Sequence, residues 1–217
     1  LSGNPIRKDI VPATPEMKEE AYRFYGLDPQ KKHIFVVGGS LGSGTLNESM
    51  KKWISDGCPG GKDIEVIWQC GKFYKPSVDA FMKEAEASGL GGAVLKQIQH
   101  SDFIKRMDLA YAAADVVISR SGASSVSELC AAHKATIFVP SPNVAEDHQT
   151  HNAMALVDRN AALIVKDAEA EEKLISLAMQ TVKDELLLQT IGKNAQAMAF
   201  LDSDIKIAEE VLKLIKN

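Results

Sequence analysis

A chain of 217 residues, 45% of them hydrophobic and 25% charged, can bury roughly 70% of the surface its unfolded form exposes and needs no disulfide staples. Its net charge of −4 argues against a nucleic-acid binder, which would carry a basic face, while leaving room for a local cationic pocket. Cys58, Cys70 and Cys130 form no C-x-x-C pair and read as small core residues in a reducing compartment, and no apolar run approaches the ~20 residues of a membrane span.

The chain opens at Leu1, without an initiator methionine, in a polar stretch, so further polypeptide is expected upstream. Pro5, Pro12, Pro15 and Pro29 surround one short helical stretch, Pro15–Tyr25, and residues 1–30 read as a connector feeding the first strand. Short β-branched runs then alternate with longer amphipathic stretches. Strands are expected at His33–Val37, Ile64–Cys70, Ala93–Gln97, Val116–Ser119, Thr136–Pro140 and Ala162–Lys166. Helices are expected between them at Gly44–Ile54, Val78–Ser88, Phe103–Ala113, Ser125–His133 and His148–Asp158. The runs Ile34–Val37 and Val116–Ile118 are apolar without alternation, so both sheet faces are covered. Right-handed crossovers then dictate an α/β fold with a doubly wound, parallel, six-stranded sheet. After Lys166 the pattern is helical throughout, at Glu169–Lys183, Glu185–Ala199 and Asp204–Lys216.

Four segments invite a chemical reading. Gly38-Gly-Ser-Leu-Gly-Ser-Gly44 follows a strand and opens a helix, where glycines let the backbone approach an anion. Its spacing is neither that of a dinucleotide fingerprint nor that of a Walker loop, and a glycine-rich turn without a ligand is the alternative. Ser119–Glu128 repeats the strand, small-residue turn and helix, so that Gly122, Ala123 and Ser124 would present backbone donors to a diphosphate. Ser125 and Glu128 also have the capping-box spacing, a purely structural role. Taken alone that structural role is the favoured one for Glu128, but a carboxylate one turn into a helix beside a phosphate loop is also well placed to accept from ribose hydroxyls. The loop Pro140–Asn152 holds Glu146, Asp147, His148 and His151, but no third ligand of suitable spacing for zinc, and a loop of sugar-binding polar groups is the preferred reading. Asp202-Ser-Asp204 reads as helix capping rather than as a cation-binding D-x-D. Neither a metal nor a cofactor is expected.

Gly3–Arg7, Gly38–Ser43, Asp115–Ala123, Ser127–Glu128 and Asp147–Ala153, taken in that order, resemble the carboxyl-terminal domain of the MurG family of peptidoglycan N-acetylglucosaminyltransferases over nearly the whole chain. The resemblance implies one Rossmann-like half of a two-domain GT-B glycosyltransferase. Residues 31–200 would form the nucleotide-sugar domain, and residues 201–217 a final helix packing on an amino-terminal acceptor domain absent from this sequence. It further implies that Arg7 and Ser40 contact the diphosphate and that Gly122, Ala123, Ser124 and Ser125 cradle the nucleotide phosphates. Glu128 would accept from the ribose, the backbone of Ile104 would read uracil, and Gln149 with His148 would hold the sugar hydroxyls. The family often has two adjacent glutamines where His148-Gln149 stand, which introduces a charge that depends on pH. The implied reaction is metal-independent, inverting transfer of N-acetylglucosamine from UDP-N-acetylglucosamine to lipid-linked muramoyl-pentapeptide at the cytoplasmic face of the membrane. The catalytic base would lie on the absent domain, so this chain alone should bind donor without turning it over. Two alternatives stand beside it. One is a natural donor-binding subunit of a split transferase. The other is a nucleotide-dependent oxidoreductase, disfavoured because Gln69 and Cys70 stand where an acidic residue would close the second strand.

Overall fold

The computed structural model describes residues 3–215. Its strands are β1 (Lys32–Val37), β2 (Ile64–Gln69), β3 (Ile98–Ser101), β4 (Val116–Ser119), β5 (Ala135–Phe138) and β6 (Leu163–Ile164). They pair in parallel in the order β3-β2-β1-β4-β5-β6. The chain thus starts at the centre, runs to one edge, and returns to build the other. The helices are α1 (Pro15–Tyr25), α2 (Gly44–Ser55), α3 (Lys75–Ser88), α4 (Met107–Ala113), α5 (Ala123–Ala131), α6 (His148–Val157), α7 (Ala170–Thr181), α8 (Glu185–Gln196) and α9 (Ser203–Ile215). The expected last helical residue, Lys216, lies outside the described residues.

Alternate side chains of a strand point to opposite faces, and β1 divides accordingly. Ile34 and Val36 join a core with Trp68 and Ile118, covered by Met50 and Ile54 of α2 and Leu174 of α7. Phe35 and Val37 join a second core with Val117 and Phe138, covered by Leu109 of α4, Leu129 of α5 and Leu156 of α6. Ile10, Ala21 and Leu27, from the first thirty residues, are buried in that second core. Helix α1 is well delimited: Thr14 Oγ1 accepts from Met17 N at 3.2 Å, Pro15 opens the first turn, and Gly26 closes it at φ 61°. At the amino-terminal edge of the sheet Lys134 is buried, its Nζ donating to Ala114 O at 2.9 Å. Burial, with the charge of Lys18, pulls its pKa down to about 8.

Three expectations are corrected. The run expected as a strand at Ala93–Gln97 is a 3-10 helix, Gly92–Gln97, and the strand follows it at Ile98–Ser101. Gly91 and Gly92, at φ 72° and 55°, start a tight turn that an extended run does not accommodate. Strand β3 is an edge, paired only with β2, so its polar Gln99, His100 and Ser101 meet solvent and hide the apolar signature. The helix expected from Phe103 begins at Met107, leaving Ile104 in a loop. The helix expected from Ser125 begins at Ala123, which puts Glu128 beyond the third helical position and rules out a capping box with Ser125.

Candidate functional site

The last residues of the strands are level: Ser101 pairs with Gln69, Gln69 with Val37, Val37 with Ser119, Ser119 with Phe138, and Phe138 with Ile164. The loops after the strands therefore open along one edge. The strand order reverses between β1 and β4, and ligands of such sheets bind in the crevice outside that switch point. The crevice has two adjoining compartments. One, of 250 Å³, has an apolar wall of Val37, Phe103, Ile104 and Met107 and a polar side of Arg7, Ser40, Ser125, Tyr111 and Glu128. The other, of 540 Å³, is lined by the loop Gly38–Gly44 with Thr45, Tyr74, Arg120, Gly122, Ser125, Ser141, Asn143, Gln149 and Asp167. Gly39, Ser40 and Ser125 belong to both.

The first compartment is assembled across the length of the chain. Asn4 Nδ2 donates to Ser127 Oγ at 3.1 Å and lays the amino-terminal segment over α5. Arg7 Nε then donates to Glu128 Oε1 at 3.1 Å, and Tyr111 Oη to Glu128 Oε2 at 3.2 Å. Tyr111 is buried, and burial together with the Glu128 charge raises its pKa, so it stays a donor. The carboxylate is thereby fixed in orientation, with lone pairs left on both oxygens. Helix α5 starts here at Gly122 with no side-chain cap, its first internal bond running from Val126 N to Gly122 O. The amides of Ala123, Ser124 and Ser125 precede that bond, carry the positive end of the helix, and suit an anion.

The glycine loop after β1 is committed differently. Gly38 N donates to Gln69 Oε1 at 3.0 Å, while Gln69 Nε2 donates to Gly39 O at 2.8 Å and Asp102 O at 3.0 Å. Gln69 thus ties the loops after β1 and β3 together. Ser43 caps α2, accepting from Leu46 N at 3.4 Å. Of the two glycine-rich turns singled out in the sequence, only the one opening α5 leaves its helix start without a side-chain cap. Gly42 and Gly71, at φ 85° and 88°, lie back to back: a Cβ on Gly42 would meet Cys70 O at 2.3 Å, and one on Gly71 would meet Gly42 Cα at 2.3 Å.

In the second compartment Gln149 Oε1 accepts from Ser141 N at 3.0 Å, and Gln149 O accepts from Ser121 Oγ at 2.8 Å. Arg120, just beyond β4, donates through Nη1 to Val139 O at 2.9 Å, to Pro140 O at 3.2 Å and to the Asp167 carboxylate. Its Nη2 donates to Thr45 Oγ1 at 3.1 Å. Of the residues expected at the site, Arg7, Ser40, Ile104, Gly122, Ser125, Glu128 and Gln149 line the crevice, and Ala123 and Ser124 form the helix turn beside it. His148 is exposed at the first position of α6 and is not among the lining side chains. Before it, Glu146 and Asp147 stand in left-handed conformation at φ 53° and 49°, a strained entry into α6. Tyr111 and Asp167 are additions from the structure, and Gln69, read in sequence only for the acidic residue it is not, gains a role there: Gln69 ends β2, Tyr111 comes to the crevice on α4 and Asp167 from the turn after β6. Among the described residues, no cluster of three or more His, Cys, Asp or Glu side chains could hold a metal ion.

Residues 33–209 match the glycosyltransferase family 28 C-terminal domain. Over 214 residues the chain is 46% identical to the UDP-N-acetylglucosamine--N-acetylmuramyl-(pentapeptide) pyrophosphoryl-undecaprenol N-acetylglucosamine transferase of Bacteroides thetaiotaomicron, a match covering 99% of this chain and 55% of that protein. The protein of the same name from Parabacteroides distasonis is 44% identical over 215 residues, again 99% of this chain and 55% of the relative. The chain therefore spans about half the length of the curated relatives it matches. The crystal structure of Acinetobacter baumannii MurG aligns with a TM-score of 0.71 at 26% identity, over 96% of this chain and 55% of that one. Anabaena Alr3699/HepE, solved in complex with UDP and glucose, aligns at 0.67 and 14% identity over 99% of this chain and 55% of that one, a likeness of fold alone.

Proposed function

The chain belongs to the glycosyltransferase family 28 C-terminal domain family, and from that membership we propose that it binds UDP-N-acetylglucosamine for transfer of the sugar to lipid-linked muramoyl-pentapeptide. The observation that carries this reading is the uncapped start of α5, one turn before the Glu128 that pairs with Arg7 in the lining of an apolar-walled compartment. Uracil lies against Ile104 and is read by its backbone, and the ribose hydroxyls donate to Glu128. The diphosphate sits on the amides of Ala123, Ser124 and Ser125, beside Ser40 and Arg7. As the acceptor hydroxyl attacks the anomeric carbon with inversion, the sugar–phosphate bond breaks and charge grows on UDP. Those amides and Arg7 stabilise it without reorganising. Gln149, with a contribution from the neighbouring His148, holds sugar hydroxyls in the larger compartment.

Base and acceptor orientation belong to an acceptor-binding unit, on which the exposed Ile207, Val211 and Leu214 of α9 would pack. The lipid of the acceptor puts the reaction at the membrane surface, with the protein peripheral on the cytoplasmic side. No helix among the described residues is long and apolar enough to cross a membrane. Calorimetric titration with UDP, UDP-N-acetylglucosamine and NAD tests the reading: the uridine ligands bind and NAD does not, and binding of NAD without UDP overturns it. Transfer to a lipid-linked acceptor analogue should need the chain fused to an acceptor domain. Without one, orientation and base catalysis worth on the order of 10 kcal/mol are missing.

A further inference from the structure

The larger compartment contains one feature that the donor-binding reading leaves unexplained. Among the described residues lining it, Asp167 is the one carboxylate. It stands just after β6, on the side away from the Ile104 wall, with about a quarter of its side chain exposed. One oxygen, Oδ1, accepts from Arg120. No described residue donates to the other, Oδ2. A bare carboxylate so close to a diphosphate site would repel the ligand. Arg120 cancels that charge while being held by Val139 O, Pro140 O and Thr45 Oγ1. The guanidinium is planar and its donors are arranged as a fork, so these bonds also fix where the second carboxylate oxygen points.

We propose that Asp167 is a specificity-determining residue of the glycosyl compartment, its Oδ2 accepting a hydrogen bond from a hydroxyl of the donor sugar, and that Arg120 is the positioning residue that holds it there. The assignment rests on the donor-binding reading above. It follows from what each compartment offers: the smaller has the apolar wall that suits a planar base, so the group beyond the diphosphate falls in the larger one. A sugar there presents hydroxyl donors, and a carboxylate oxygen without a protein donor is the acceptor that matches them. A site built to hydrogen-bond a hydroxyl also discriminates strongly against ligands that lack it.

The test compares UDP with UDP-N-acetylglucosamine on wild type and on Asp167→Asn. Asparagine keeps an oxygen for Arg120 but turns an amide donor toward the sugar. The loss of affinity for UDP-N-acetylglucosamine should exceed the loss for UDP by about tenfold, the scale of a charge-assisted hydrogen bond, with the melting temperature close to wild type. Equal losses for both ligands would mean that Asp167 only braces the loops, and no loss for either would mean that it touches no sugar; both overturn the proposal. Failure of wild type to bind UDP at all would instead sink the donor-binding reading. Should Asp167→Asn not fold, Asp167→Ser takes its place, titrated beside wild type with donors lacking one hydroxyl at a time. One deoxy donor must bind wild type about tenfold more weakly than the parent and bind the variant as well as the parent does, and a series that behaves alike on both proteins overturns the assignment.

Discussion

Glu128 meets Arg7 on one oxygen and Tyr111 on the other, so its orientation is set before any ligand arrives. Glu128→Gln keeps the shape and removes the charge. UDP affinity should fall tenfold to a hundredfold, the loss of about 1.5–3 kcal/mol expected for hydrogen bonds to a charged acceptor, and calorimetry at fixed ionic strength reads it directly. Unchanged affinity would leave Glu128 no part in binding ribose. Lys134 makes a different forecast, at the far end of the sheet. Its folded pKa of about 8 lies below the ~10.4 of an exposed lysine, so between those values the unfolded chain binds more protons and stability rises with pH. Below pH 8 the full cost of burying the charge remains. Lys134→Met should therefore stabilise the protein at pH 7 by on the order of 1 kcal/mol, after the lost bond to Ala114 O is counted. In urea unfolding, the gap between the two proteins should close by pH 10. Glu128 is legible as a candidate from its place one turn into a helix beside an anion-ready turn, and Arg7 only through the family resemblance of Gly3–Arg7. Their pairing with each other is not, since 121 positions separate them and only the fold brings them together.

At the level of elements, the long apolar runs of β1 and β4 are legible because burial on both faces leaves no polar residue to confuse the pattern. Strand β3 is obscured by the reverse condition, an edge that tolerates Gln99 and His100. The two helix starts flanking the crevice look alike in sequence, yet one is closed by Ser43 and the other has no side-chain cap. That difference predicts a trade. Gly122 has extended backbone angles and room for a side chain, with nothing within 4 Å of a built Cβ, so Gly122→Asp can cap α5. The substitution should stabilise the protein by a few tenths of a kcal/mol while lowering UDP affinity at least tenfold, because the new carboxylate occupies the anion's place. A parallel thermal melt and UDP titration would show the two effects with opposite sign. Loss of stability with unchanged binding would mean that the start of α5 faces no ligand.

For the molecule as a whole, one level row of strand ends collects the loops that line the crevice, while the buried Lys134 lies at the other edge. On the proposed reading, binding is a matter of backbone amides, one arginine and hydrogen-bonding side chains. Prolonged treatment with a chelator should leave UDP affinity within twofold of its starting value, and a larger loss would implicate a cation in binding. The contact of Gly42 with Gly71 bears on how such a domain diversifies. A side chain on Gly42 would run first into Cys70 O and then into Gly71, one on Gly71 would run into Gly42, and both stand at positive φ, so neither position offers a viable first mutational step. The loops after β1 and β2 are therefore sterically coupled. Grafting either one from a relative with a different ligand should fail unless its partner travels with it, and retargeting to a new sugar is open chiefly along the opposite rim, where Ser141, Asn143 and Asp167 stand without that mutual restraint.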